Sequence, residues 1–244
     1  MGFGVNLFGY QPEFINKALK EQIDSTMQLG LQVPISGQVT ELICKLTGSE
    51  RVTYCNSGTE AVMTALRLVR TKTKRNKVVQ FNMSYHGHFD VTLGEQQEDN
   101  YQAQPMVSGV QPGAVEDVLI LDYGSEEALR TIEQNANEIA AVIVEPVQSR
   151  QLHVQPKAFL QQLRSLTERL GVILIFDEII TGFRTHPGGV QALLNIKADL
   201  VTYGKIVGGG MPIGVVAGKA EIMDGIDGGF WAVSYTHLRA HETV

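Results

Sequence analysis

The stretch PKAFLQQLRSLTERLGVILIFD, residues 156–177, holds a helical pattern and a strand pattern that meet at one glycine. In its first half Phe159, Leu163, Leu166 and Leu170 share one helical face, and Pro156 takes the first helical position, where its missing N–H costs nothing. The second half, GVILIF, is a continuous apolar run, which suits a strand covered on both faces. Asp177 follows at once, at the C-terminal edge of that strand, where open α/β sheets bind their ligands.

The same alternation continues outward in both directions. Strand-like runs are VTYC (52–55), KVVQF (77–81), DVLILDY (117–123), IAAVIVEP (139–146), DLVTYG (199–204) and GVVAG (214–218). Helical patterns lie in PEFINKALKEQIDSTM, GQVTELICKLTG, GTEAVMTALRLVRTKT and SEEALRTIEQNANEI. Strands alternating with helices predict an α/β fold, with a mostly parallel seven-stranded sheet flanked by helices. Residues 94–117 are polar and turn-rich and read as a long surface loop.

The 244 residues are 43% hydrophobic with mean hydropathy near zero, a soluble globular composition. A net charge of −6 gives no electrostatic case for nucleic acid or an anionic membrane as partner. No apolar run is long enough to span a bilayer, and MGFGVNLFGY lacks the pattern of a signal peptide, so the expected location is the cytoplasm. Cys44 and Cys55 read as small buried residues rather than a disulfide framework. The last residues, SYTHLRAHETV, have no apolar period; 233–244 read as a non-native tail.

Several short stretches carry chemistry. Asp177 at a strand edge either caps the next helix, pairs with Arg184, or meets a protonated ring nitrogen. Lys205 ends another strand and precedes Gly208-Gly209-Gly210. It is either a surface lysine or an amine in a poorly solvated pocket, able to attack a carbonyl. Ser57, Gly58 and Thr59 open a helix; they cap it, or its N-terminus binds a phosphate. Neither G-x-x-x-x-G-K-[ST] nor G-x-G-x-x-G occurs, so the phosphate need not belong to a nucleotide, although a nucleotide-binding α/β domain is the competing reading. Tyr85 follows a strand and could stack on a planar ring, while Tyr85, His86, His88 and Asp90 lack a second cluster to complete a metal site. Glu145 and Gln148 either orient a ligand or stabilise the turn around Pro146. One ligand would use all these groups together: pyridoxal phosphate.

NSGTEA, YHGH, VEPVQ, IFDEIITGFR and YGKIVGGGMPIGVVAG resemble the class III aminotransferases, among the fold type I pyridoxal-phosphate enzymes, in the branch that includes glutamate-1-semialdehyde aminomutase. GFGVNLFGYQPEFI, VEPVQSR, FRTHPGGVQ and MPIGVVAGKAEIMDGIDGGFW are similar to aminotransferase domains of hybrid polyketide–nonribosomal peptide synthetases. The resemblance implies that Lys205 is the Schiff-base lysine and that Asp177 pairs with the pyridinium nitrogen. It implies that Ser57, Gly58 and Thr59 hold the phosphate, with Tyr85 stacked on one ring face and Ile179 packed on the other. His86, Glu145 and Gln148 match positions that line the pocket, and no metal is implied.

The resemblance further implies a segment 1–35 leading into a partial large domain at 36–232, with the small domain largely missing and a homodimeric full-length form. The implied reaction takes a small-molecule amino donor and aminates a β-ketoacyl thioester on an acyl carrier protein. The alternatives are glutamate 1-semialdehyde rearrangement and an inactive fragment.

Overall fold

Ile173 and Ile175 pack into one apolar layer and Leu174 and Phe176 into another, so the run GVILIF is apolar because both of its faces are covered. The computed structural model describes residues 2–25, 34–97 and 100–224, together with the backbone of 238 and 239. Its strands are β1 Arg51–Cys55, β2 Lys77–Phe81, β3 Gly94–Gln97, β4 Asn100–Pro105, β5 Val118–Leu121, β6 Ile139–Val144, β7 Ile173–Asp177, β8 Leu200–Tyr203, β9 Gly214–Gly218 and β10 Leu238–Arg239. Its α-helices are α1 Glu13–Ser25, α2 Pro34–Thr47, α3 Gly58–Thr73, α4 Pro112–Val115, α5 Glu126–Gln134, α6 Lys157–Leu170, α7 Gly189–Leu194 and α8 Ala220–Met223.

All seven strands expected from the apolar runs form one continuous part of the sheet, in the order β1-β9-β8-β7-β6-β2-β5. From β8 to β5 every pairing is parallel. Among these seven, β9 is the strand that points the other way, antiparallel to both β8 and β1. The other six therefore end on the same edge of the sheet.

Helices clothe both faces. Ala61, Val62, Ala65, Leu66, Leu68 and Val69 of α3, with Ile222 and Met223 of α8, pack on Val78, Ile143, Ile175 and Val216. On the other face, Phe159, Leu160, Leu163 and Leu166 of α6 and Ile132 of α5 cover Val79, Leu121, Val142, Leu174 and Phe176. Full burial of side chains this size stabilises by about 1.5–3 kcal/mol each, so the strand runs and the helical stripes specify one layered core. Gly171, at φ +62°, closes α6 in the left-handed cap expected of a glycine between helix and strand.

Three details differ from the sequence reading. Pro156 caps α6 from outside, and the helix begins at Lys157. The helix expected over SEEALRTIEQNANEI stops at Gln134. The loop expected at 94–117 contains the hairpin β3–β4 and the short helix α4. That hairpin has a single ladder pairing with the main sheet, Gln102 against Leu119, and packs Ala103 against Val118 and Ile120 of β5. Its strands, GEQQ and NYQAQP, offer little apolar alternation because so little of them is buried.

The expected division between residues 35 and 36 falls inside α2. The expected tail at 233–244 lies outside the described residues, apart from the backbone of β10. Among the described residues no helix is long and apolar enough to cross a membrane.

Candidate active site

The shared strand edge gathers the chemistry. Asp177 ends β7, Lys205 follows β8, Glu145 follows β6, Tyr85 and His86 follow β2, and the turn into α3 follows β1. They border an open cleft of about 610 Å3, the solvent at its mouth included, lined by Gly58, Thr59, Tyr85, His86, Gly87, Glu145, Asp177, Ile179, Ile180 and Lys205.

Asp177 is 4% exposed and held from three sides. Its Oδ2 lies 2.7 Å from His86 Nδ1, and its Oδ1 accepts from the Ile179 N–H at 3.1 Å and from the Thr202 hydroxyl at 3.2 Å. This fixes the carboxylate's orientation at the cleft floor. The other ring nitrogen of His86, Nε2, is buried with no hydrogen-bond partner among the described residues.

Glu145 is buried as well. Its Oε2 accepts from the Tyr85 N–H at 2.9 Å and its Oε1 from the Ser149 N–H at 3.2 Å. Burial raises its pKa above the usual carboxylate value, and Asp177 nearby adds to this. Those two hydrogen bonds fasten the loop after β2 to the loop after β6.

Lys205 stands in the left-handed region at φ 45°, unusual for a residue with a side chain, and opens the 3-10 turn Lys205–Gly208. The chain must turn there at once, because β9 returns beside β8. Burial holds the pKa of its amine below the ordinary lysine value, the Arg184 cation lowers it further, and Asp177 and Glu145 pull the other way. The lysine is therefore easier to deprotonate than a surface lysine. Arg184 is itself committed: Nε donates to the Ile180 carbonyl at 2.8 Å, and a second nitrogen donates to the Gly4 carbonyl.

The Ser57–Thr59 turn is shaped by close packing. A Cβ on Gly58 would collide with Ile179, and one on Gly214 would collide with the Ser57 carbonyl. Gly87, at φ +93°, lies against Thr59. These glycines let three chain segments meet at the N-terminus of α3.

Two expected site residues do not line the cleft. The Ser57 hydroxyl accepts from the Glu60 N–H at 3.2 Å and caps α3. Gln148 donates to the Asn82 carbonyl at 2.8 Å, while its Oε1 is buried and unpartnered among the described residues. Ile180 and Thr202 escaped the sequence reading. Thr202 gave one available signal, a hydroxyl at a strand end two residues before Gly204-Lys205. Among the described residues no group of three His, Cys, Asp or Glu side chains is placed to hold a metal ion.

Residues 1–236 match the family model described as aminotransferase class-III. A glutamate-1-semialdehyde 2,1-aminomutase from Alkaliphilus oremlandii is 43% identical over 226 residues, covering 91% of this chain and 53% of the relative. An omega-transaminase from Sphaerobacter thermophilus superposes with a TM-score of 0.87 at 33% identity, over 93% of this chain and 54% of that one. A glutamate-1-semialdehyde aminomutase from Pseudomonas aeruginosa, solved in complex with PMP, gives a TM-score of 0.81 at 26% identity, over 95% and 50% of the two chains. The chain thus spans about half the length of the curated relatives it matches. Its fold is that of the large domain of a fold type I pyridoxal-phosphate transferase, and the chain belongs to the class III aminotransferases.

Proposed function

We propose that this cleft carries out amino-group transfer with pyridoxal phosphate, the cofactor that class III aminotransferases use. The observation that carries the reading is the convergence of Lys205, with its depressed pKa, and the buried, triply held Asp177 on one cleft. The donor set fits the group. Lys205 supplies an amine for its aldehyde, and Asp177 an anionic partner for its ring nitrogen. Ile179 and Tyr85 offer apolar and aromatic faces for its ring, and the N-terminus of α3 at Gly58 and Thr59 supplies N–H groups for its phosphate. The orphaned Nε2 of His86 marks polar capacity in the cleft that the described residues do not satisfy.

When bound, the cofactor supplies an electron sink for the carbon that loses a proton. The chain does the rest. Asp177 would hold a proton on the ring nitrogen of the bound group, and the His86, Thr202 and Ile179 contacts keep Asp177 aimed. Lys205 Nζ takes a proton from the substrate carbon that bears the amine and returns it at the other end of the transfer. Glu145 fixes the backbone of Tyr85 and so the ring wall.

Two substrates follow from different observations. The curated relatives' names support rearrangement of glutamate 1-semialdehyde. VEPVQSR, FRTHPGGVQ and the run through DGGFW support a carrier-bound β-ketoacyl thioester, though 225–232 lie outside the described residues. A homodimeric full-length protein accords with α1, which half-buries Ile15 and Leu19, fully buries no residue, and leaves Phe14 and Ile23 exposed. The test is absorbance after adding pyridoxal phosphate. A band near the visible edge, bleached by an amino donor and lost in Lys205→Ala, is expected; a band that survives the substitution sinks the assignment. Glutamate 1-semialdehyde and a β-ketoacyl thioester, offered separately, then decide the substrate.

A further inference from the structure

We infer that Arg184 is a positioning residue for amino transfer, bracing the amino-terminal segment against the turn that carries Lys205; the inference rests on the amino-transfer reading above. Arg184 lies in the segment after β7, four residues beyond Ile180, which lines the cleft. Its Nε donates to the Ile180 carbonyl at 2.8 Å, and a second nitrogen donates to the Gly4 carbonyl. One planar guanidinium thus ties the cleft wall to a residue 180 positions earlier in the chain. Gly4 stands at φ +84°, and a Cβ there would come within 2.9 Å of a guanidinium nitrogen, so the approach needs a glycine.

The same segment has a second footing, on the glycine run that follows Lys205. A Cβ on Gly209 would lie 3.2 Å from the Ile15 side chain, and one on Gly210 would lie 3.3 Å from Asn6 Oδ1. Residues 4–15 therefore meet the site on both sides of Lys205, at Arg184 before it in the chain and at Gly209 and Gly210 after it. No residue from 2 to 25 is fully buried, so these few contacts carry the segment.

The brace also fixes a charge. Both partners of Arg184 are neutral carbonyls, and among the described residues no carboxylate pairs with it. The charged groups that face the Lys205 amine are Asp177 at the end of β7, Glu145 after β6, and Arg184. His86, after β2, is spent on Asp177 Oδ2, and Tyr85 beside it lines the cleft. The two carboxylates favour the protonated amine and Arg184 opposes them, so a cation held in place keeps more of the amine neutral. Only the neutral amine can take a proton from the substrate carbon. Arg184 does not line the cleft, and it acts through Lys205.

The experiment uses the 244-residue chain, first without cofactor. Amide hydrogen exchange of residues 2–9 should run about 10-fold faster in Arg184→Met. Trace labelling with acetic anhydride, which acylates neutral amines, reads the titration of Lys205 from the mass of its peptide. That titration should move to higher pH in Arg184→Met and stay near wild type in Arg184→Lys, which keeps a cation. In the chain loaded with pyridoxal phosphate, the acid limb of single-turnover bleaching by an amino donor should move the same way in Arg184→Met, and Arg184→Lys should restore it. Unchanged exchange at residues 2–9 in Arg184→Met overturns the brace, and an unchanged Lys205 titration overturns the positioning role. Gly4→Ala keeps Arg184 and crowds its contact; it should speed the same exchange, and no change there also overturns the brace. Failure of the amino-transfer reading looks different: a cofactor band that survives Lys205→Ala, whatever residues 2–9 do.

Discussion

At the end of β7 two buried carboxylates leave the chain in succession and go to opposite sides of the sheet. Asp177 follows the parity of Ile173 and Ile175 into the α3 layer, where its partners are an imidazole, a hydroxyl and one N–H. Glu178 turns toward the other layer, beside Tyr203, and is clamped by the N–H groups of Val190 and Gln191, at 2.6 and 3.0 Å, and by the Thr181 hydroxyl at 2.9 Å. The first carboxylate lines an open cleft. The second is 0% exposed and ties the segment after β7 to the start of α7. Burial and hydrogen bonding alone do not mark a functional acid. What separates the two is whether the partners include open space and unsatisfied groups.

That contrast can be broken by substitution. Asp177→Asn keeps the shape and removes the charge; amino transfer should fall by roughly 10²–10³-fold, while the thermal midpoint stays near wild type. A collapse in stability instead would make Asp177 a clamp like its neighbour. Glu178→Ala should do the reverse. It strands two buried N–H groups and should cost about 3 kcal/mol in denaturant unfolding, with turnover per folded molecule preserved. Turnover lost without loss of stability would erase the distinction.

The smallest expected effect concerns pH. Burial raises the Glu178 pKa above its ordinary 4.5. The folded chain therefore holds that proton more tightly than the unfolded chain. The associated stability is full below pH 4.5 and drains away as pH rises through the folded value. Glu178→Gln has no such proton, so the wild-type melting temperature should fall relative to this variant across that window. A constant difference between them would mean that Glu178 keeps its charge in the fold.

The sequence makes the Asp177 side easier to read than the Glu178 side. Seven strands were legible because two covered faces force continuous apolar runs, as in ILIF and AAVIV. Asp177 and Lys205 stood out because a charge at the end of such a run needs a reason. Nothing in the sequence singles out Glu178, since its partners are backbone amides twelve and thirteen positions on, which no residue type announces. Gly189 shows the same limit: at φ +77°, a Cβ there would come within 2.5 Å of a Glu178 oxygen, and nothing in the sequence announces that close approach. The β3–β4 hairpin was illegible for the opposite reason, because an edge with one pairing to the sheet imposes almost no pattern.

The reversed strand β9 also sets an order of assembly. Arg51 of β1 pairs with Gly218 of β9, so the strand that leads into the Ser57–Thr59 turn joins the strands behind Asp177 and Lys205 only through a segment near the far end of the described chain. Such distant pairings form slowly, because a long loop must close before any contact rewards it. As the chain leaves the ribosome, the parallel strands from β2 to β8 can associate while β1 still waits for its neighbour. The cleft is then complete only once β9 has paired with both β8 and β1.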